Sequence, residues 1–409
     1  MRTKYFYGYN IVAAGFAIQA VSIGALFAYG VFFKEFQAEF GWSRATISGA
    51  SSLAFFVMGA LGILAGRLND RIGPRILIAV AGAALGIGHL LLSYMQAAWQ
   101  LYLLYGLVVG VGLCTHDVIT LSTIARWFVR RRGMMSGIVK VGTGCGQLFV
   151  PLIATALIAA YGWRSSCFII GVAALAALVA VAQVMRRDPQ SVGLLPDDGN
   201  GNPAGAVCTT DDCSLSLNEA SRTRGFWTLC VAEFAVFFCL LTIVVHIVPH
   251  ARDLGLTPTT AAGVLSTIGG VSMLGRFTMG TLNDRIGGKR SLITCFIILV
   301  CGLVWLQLSQ AAWMLFLFAT IYGFAHGGLF TVMSPTVAEL FGTASHGLLF
   351  GIVLFSGTLG GALGPLMAGH IFDLTGSYRL VFLILTAMAL VGFILITTLR
   401  PPAGDTGDI

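Results

Sequence analysis

Runs of about 20 apolar residues, separated by short polar or basic hinges, fill nearly the whole chain. Such a run is what an α-helix needs to cross a hydrocarbon core about 30 Å thick. The pattern predicts a helix from about Gly8 to Phe33, an outer hairpin over Lys34 to Arg44, and a second helix from about Ala45 to Leu68. Four more follow as far as Val184, and another six run from about Gly225 to Leu399. Between the two sets, residues 186–224 turn to Asp, Gly, Asn, Pro, Ser and Thr, with no apolar run that could span or pack. The expectation is an all-α integral membrane protein of twelve transmembrane helices. It comprises a six-helix bundle over 1–185, a cytoplasmic linker over 186–224 and a second six-helix bundle over 225–409.

The two bundles read as copies. Leu-Asn-Asp-Arg-Ile-Gly occurs at Leu68 to Gly73 and again at Leu282 to Gly287, an offset of 214 positions. Carried without a gap, that offset pairs Gly41 with Gly255, Thr46 with Thr260, Gly49 with Gly263, Gly137 with Gly351, Gly146 with Gly360 and Pro151 with Pro365. Glycine and proline are the residues that backbone geometry exchanges least easily, so their agreement in register indicates a tandem repeat. An even number of helices per copy gives both copies the same orientation, pseudo-symmetric about an axis along the membrane normal.

Composition agrees. Of the 409 residues, 57% are hydrophobic and 10% charged, far from the roughly 25% charged of a soluble domain. Mean hydropathy is +0.87. The net charge of +7 does not point to nucleic acid, because the basic residues gather in hinges such as Arg130-Arg131-Arg132 and Lys289-Arg290. With the amino terminus in the cytoplasm, most Lys and Arg fall on that side, so both termini are expected to be cytoplasmic. Many of the 52 glycines, among them Gly142, Gly144, Gly146, Gly360, Gly361 and Gly364, suit close helix packing in lipid. Nine cysteines, two of them (Cys208 and Cys213) in the linker, suggest free thiols; no metal site or cofactor is expected.

Gly66-Arg-Leu-Asn-Asp70-Arg71-Ile-Gly73 and Gly280-Thr-Leu-Asn-Asp284-Arg285-Ile-Gly287 resemble the loop signature of the major facilitator superfamily, and the resemblance covers the whole chain. It implies the major facilitator fold, alternating access, and a gating role for Asp70, Arg71, Asp284 and Arg285 through inter-helix charge contacts. Within that superfamily the chain resembles the monocarboxylate porter family, which includes animal lactate carriers and bacterial oxalate:formate exchange. The residues that carry this are Tyr7-Gly8-Tyr9, Gly30-Val-Phe-Phe33, Phe40-Gly-Trp-Ser-Arg44, Trp127-Phe-Val-Arg-Arg-Arg132, His246-Ile-Val-Pro249 and Gly275-Arg276.

Ionisable residues inside membrane helices cost at least about 2.5 to 3.5 kcal/mol each and are functional candidates by default. The resemblance assigns Arg276 to the substrate carboxylate, and its planar fork suits that contact. Lys140 stands either as a second anchor, for a dicarboxylate, or as the partner of Asp117. Asp117, His116 and His246 are candidates for proton coupling, each against a purely structural reading. His246 and His326 are also candidates to line the substrate site, with Phe27, Tyr29 and Phe355 as apolar or hydroxyl walls. The helix 1 Lys of the lactate carriers falls at Phe27 here, and their helix 8 acid at Ser272.

These residues lead to the expectation of a non-enzymatic secondary transporter of small carboxylates such as lactate or pyruvate, coupled to protons, in the bilayer of a bacterial inner membrane. A monomer is expected, with no nucleic-acid partner. Alternatives are dicarboxylate or oxalate:formate exchange, export of an amphipathic cation centred on Asp117, and a solute sensor.

Overall fold

The computed structural model describes residues 6–196 and 214–399; the linker's middle, with Cys208 and Cys213, lies outside them, as do Arg2, Lys4 and the tail from Pro401. Among the described residues there is helix and no strand. Ten helices are long and apolar enough to span a membrane. One of them, the 53-residue Arg132–Val184, breaks at Gly162 (φ 75°) into two. Pro258–Ile286 is a further long helix, less apolar because it carries Arg276. The twelve are α1 (Gly8–Phe40), α2 (Arg44–Ile72), α3 (Pro74–Leu92), α4 (Ala98–Trp127), α5 (132–161) and α6 (163–184). The second set is α7 (Arg224–Asp253), α8 (Pro258–Ile286), α9 (Gly288–Leu308), α10 (Ala312–Phe341), α11 (His346–Thr375) and α12 (Arg379–Thr397).

Three boundaries differ from the sequence pattern. The expected hairpin from Lys34 is helical: α1 runs to Phe40 and stops where Gly41 turns left-handed (φ 66°), its N–H donating to the Gln37 carbonyl. Charged residues there are satisfied within the helical frame, since Glu39 accepts from Trp163 Nε1 (2.5 Å) and pairs with Arg164 (2.6 Å). The repeated Leu-Asn-Asp-Arg-Ile-Gly stretches are not loops but helix ends, with Gly73 (φ 83°) and Gly287 (φ 81°) as one-residue joints to α3 and α9. The described flanks of the polar linker are also ordered. Leu217–Ala220 is a short helix whose Ser216 and Glu219 cap each other, and the Leu215 N–H donates to the Phe341 carbonyl.

The helices divide into two compact units: Met1–Arg130 with Ile138–Val207 and Ser345–Gly351, and Arg131–Gly137 with Cys208–Ala344 and Ile352–Ile409. The repeat is visible in the packing of each. In the first unit, Gly142 and Gly146 of α5 lie against the Phe16 and Ala20 carbonyls of α1. In the second, the mate of Gly146, Gly360, lies against the Phe234 carbonyl of α7, and Ser356 Oγ donates to the Cys230 carbonyl (2.8 Å). Backbones that close require glycine because a Cβ would fall on the neighbouring carbonyl. The N-caps repeat as well: Ser43 accepts from Thr46 N–H and Thr257 from Thr260 N–H.

Candidate functional site

In the first unit the site begins with a break in α4. A π-helical stretch, Tyr102–Val109, and a turn at 114–117 interrupt the regular α-helix. Wider or broken turns release carbonyls, and side chains collect on them. His116 Nδ1 donates to the Leu113 carbonyl (2.6 Å), and Thr120 donates to the His116 carbonyl. Asp117, 8% exposed, meets Lys140 of α5, 4% exposed, at 2.5 Å, with His116 Nε2 3.4 Å from its other oxygen.

Gln19 of α1 completes this cluster. Its Nε2 reaches Asp117 Oδ1 (2.7 Å), the His116 carbonyl (3.1 Å) and Thr120 Oγ1 (3.2 Å), while its Oε1 accepts from Thr143 (2.8 Å). Of the two readings for Lys140, the geometry brings out the pairing with Asp117. A buried ion pair with its remaining lone pairs satisfied in this way is costly to break from either side.

The second unit holds Arg276, 2% exposed, in the middle of α8. The backbone around it is tightly packed: a Cβ on Gly327 of α10 would fall on the Ser272 carbonyl, and one on Gly137 would fall on the Arg276 carbonyl. His326 of α10 is buried between the rings of Tyr322 (5.9 Å) and Phe330 (4.9 Å). Glu233 of α7 is 1% exposed. Gln19, an uncharged amide, does not stand out in the sequence pattern, whereas Glu233, a carboxyl inside an apolar run, meets the criterion for a functional candidate although it is not among the expected site residues. The 214-residue offset that defines the repeat pairs them with each other.

The remaining candidates are spread through the units. Tyr29 stacks on Tyr105 (4.0 Å between ring centroids) and donates its hydroxyl to the Ile47 carbonyl (2.7 Å), so its polar atom is committed. Phe27 is 42% exposed on α1, and Phe355 is half-buried on α11. His246 has both ring nitrogens engaged, Nε2 donating to the Pro365 carbonyl (3.0 Å) and Nδ1 accepting from the Tyr378 hydroxyl (3.1 Å).

The repeated aspartates act as caps. In the first unit Asp70 accepts from the Gly347 and Leu348 N–H groups (3.1 and 2.9 Å) at the start of α11, and pairs with Arg126. In the second, Asp284 accepts from the Gly133 and Met134 N–H groups (2.6 and 2.8 Å) at the start of α5. Gly133 and Met134 are the 214-residue mates of Gly347 and Leu348. A carboxylate at a helix N-terminus satisfies orphan donors and the positive end of the dipole. Arg71 and Arg285 are exposed; the cation beside Asp70 is Arg126.

Repeated helical units with opposite charges buried inside membrane-spanning helices define the class: a multi-pass membrane protein built as a solute transporter. The family model described as Major Facilitator Superfamily matches residues 15–277 and 247–408, and the chain belongs to that superfamily. It is 29% identical over 409 residues to monocarboxylate transporter 13 of Rattus norvegicus, covering 96% of this chain and 89% of that one. With monocarboxylate transporter 2 of Homo sapiens it shares 27% over 395 residues, covering 92% and 82%. Among solved structures, the fold matches the E. coli fucose:proton symporter with a TM-score of 0.74 at 15% identity, over 96% of this chain and 99% of that one. It matches a proton:xylose symporter at 0.77 and 15%, over 97% of each.

Proposed function

We propose that the chain carries small monocarboxylates such as lactate or pyruvate by proton symport, across a bacterial inner membrane with both termini in the cytoplasm. The supporting observation is the division of the buried cations. Lys140 pairs with Asp117 at 2.5 Å, and the anion anchor in this reading is Arg276, buried in α8. Arginine offers a planar fork that fits one carboxylate. The names of the relatives, monocarboxylate transporters 2 and 13, agree with one carboxylate rather than two. The dicarboxylate alternative needs Lys140 as a second anchor, and the cation-export alternative needs Asp117; their mutual pairing speaks against both.

Alternating access in this reading opens and closes the caps at Asp70 and Asp284. The functional unit is the monomer, and the linker is a tether.

The test is uptake of labelled lactate, pyruvate, oxalate and malate into proteoliposomes by the wild type and by Arg276→Ala, with an inward proton gradient and without one. Uptake of lactate or pyruvate that rises with the gradient and is lost in a folded Arg276→Ala variant is the expected result. Uptake unchanged by that substitution, or movement of none of the four acids, overturns the reading.

A further inference from the structure

Among the described residues, the buried Asp, Glu, Lys and Arg are four: Asp117, Lys140, Glu233 and Arg276. Each unit holds one of either sign, so the formal buried charge of each is zero. The two acids arise differently. In the first unit the position equivalent to Glu233 is Gln19, an amide held at both ends by Asp117, Thr120 and Thr143. The mates of those three partners in the second unit are Thr331, Ser334 and Gly357, and the mate of Lys140 is Leu354. In α1 this place is filled by an amide, and in α7 by a carboxyl. The charge of Glu233 is extra, and a carboxyl inside the membrane is kept at a cost.

Glu233 is placed to respond to Arg276. It lies nine residues into α7, and Arg276 eleven before the Gly287 joint, so both sit roughly 15 Å from the same end of the unit at 1.5 Å per residue. α7 packs against α8, and α11 meets Glu233 directly: a Cβ on Gly357 would come within 2.9 Å of Glu233 Cγ. The charged or titratable groups around it are few. α8 offers Arg276 and α10 offers His326 at this depth, and α7 itself has Cys230 one turn earlier. α11 presents Gly357 and Ser356, and α12 has no Asp, Glu, Lys, Arg or His from 380 to 398.

When a carboxylate enters beside Arg276, the interior of this unit holds two negative groups against one guanidinium. One proton restores balance. The first unit's acid already faces Lys140 and lies among different helices. We infer that Glu233 takes up the proton that accompanies the carboxylate bound at Arg276, giving one proton per monocarboxylate. The inference rests on the carboxylate reading above and deepens it. No bond changes other than the O–H bond made on the Glu233 carboxylate when the acid binds and broken when it leaves.

The test uses purified full-length protein and lactate. The wild type is expected to take up about one proton per lactate bound, and its affinity to fall about tenfold per pH unit on the alkaline side. Glu233→Gln, which installs the residue type its repeat mate carries, is expected to bind lactate with an affinity that no longer follows pH and to take up no proton; Glu233→Asp should restore the uptake. Proton uptake by Glu233→Gln equal to the wild type overturns the inference and leaves the carboxylate reading standing. A wild type that binds lactate with no proton uptake also overturns it, and one that binds none of the four acids removes both. Should Glu233→Gln fail to fold, infrared difference spectra of wild type labelled at the glutamate carboxyl carbons decide. A protonated labelled carboxyl on lactate binding supports the inference, and its absence overturns it.

Discussion

Lys140 Nζ sits 2.5 Å from Asp117 Oδ1, with both side chains buried in the first unit, Gln19 Nε2 donating to the same oxygen (2.7 Å) and His116 Nε2 facing the other (3.4 Å). Removing either partner leaves an uncompensated buried charge, so Lys140→Met or Asp117→Leu alone is expected to destabilise by about 3 to 5 kcal/mol. The double substitution should recover most of that loss. A double-mutant cycle on thermal or denaturant unfolding in detergent measures it, and additive losses would show that the pair is not coupled.

Arg276→Lys separates charge from geometry. A lysine keeps the positive centre but loses the fork, so the KM for lactate uptake is expected to rise about tenfold, equivalent to about 1.4 kcal/mol. An unchanged KM would mean that only charge is read at this position.

His246→Phe discriminates a structural histidine from a functional one. Both ring nitrogens are engaged, with the Pro365 carbonyl and the Tyr378 hydroxyl. The substitution is expected to lower stability by about 1 to 3 kcal/mol through the polar groups left without partners. The pH dependence of uptake should stay as in the wild type, and a shifted profile would return His246 to the coupling machinery.

The caps can be followed one at a time. Asp284→Ala is expected to speed amide hydrogen exchange at Gly133 and Met134, and Asp70→Ala at Gly347 and Leu348, each reporting a loss of about 1 to 2 kcal/mol. Arg126→Ala should affect the Asp70 cap and leave the Asp284 cap alone, because the mate of Arg126 is Leu340.

Twelve helices and their repeat are legible in the sequence because membrane spans and invariant glycine register leave strong one-dimensional signals. Helix ends are less so: Lys34, Glu35 and Glu39 read as a loop, yet α1 continues through them, since Glu39 finds Trp163 and Arg164 on α6. The Asp117 and Lys140 pairing stands in the sequence only as one of two options, because the turn at 114–117 that aims Asp117 at α5 depends on tertiary contacts. Gln19 carries no charge and leaves no mark in the pattern, whereas Glu233 is an isolated charge in an apolar run and is legible there. Their correspondence emerges when the repeat offset is applied to polar residues as well as to glycines.

The one-residue joints at Gly73 and Gly287 leave no slack between α2 and α3 or between α8 and α9. A hairpin so tied keeps the two helix ends a few residues apart, so that a movement at the end of one arm carries the start of the other with it. A spin label at Arg75, just beyond the first joint, would therefore read out the movement of Asp70 without touching the aspartate itself.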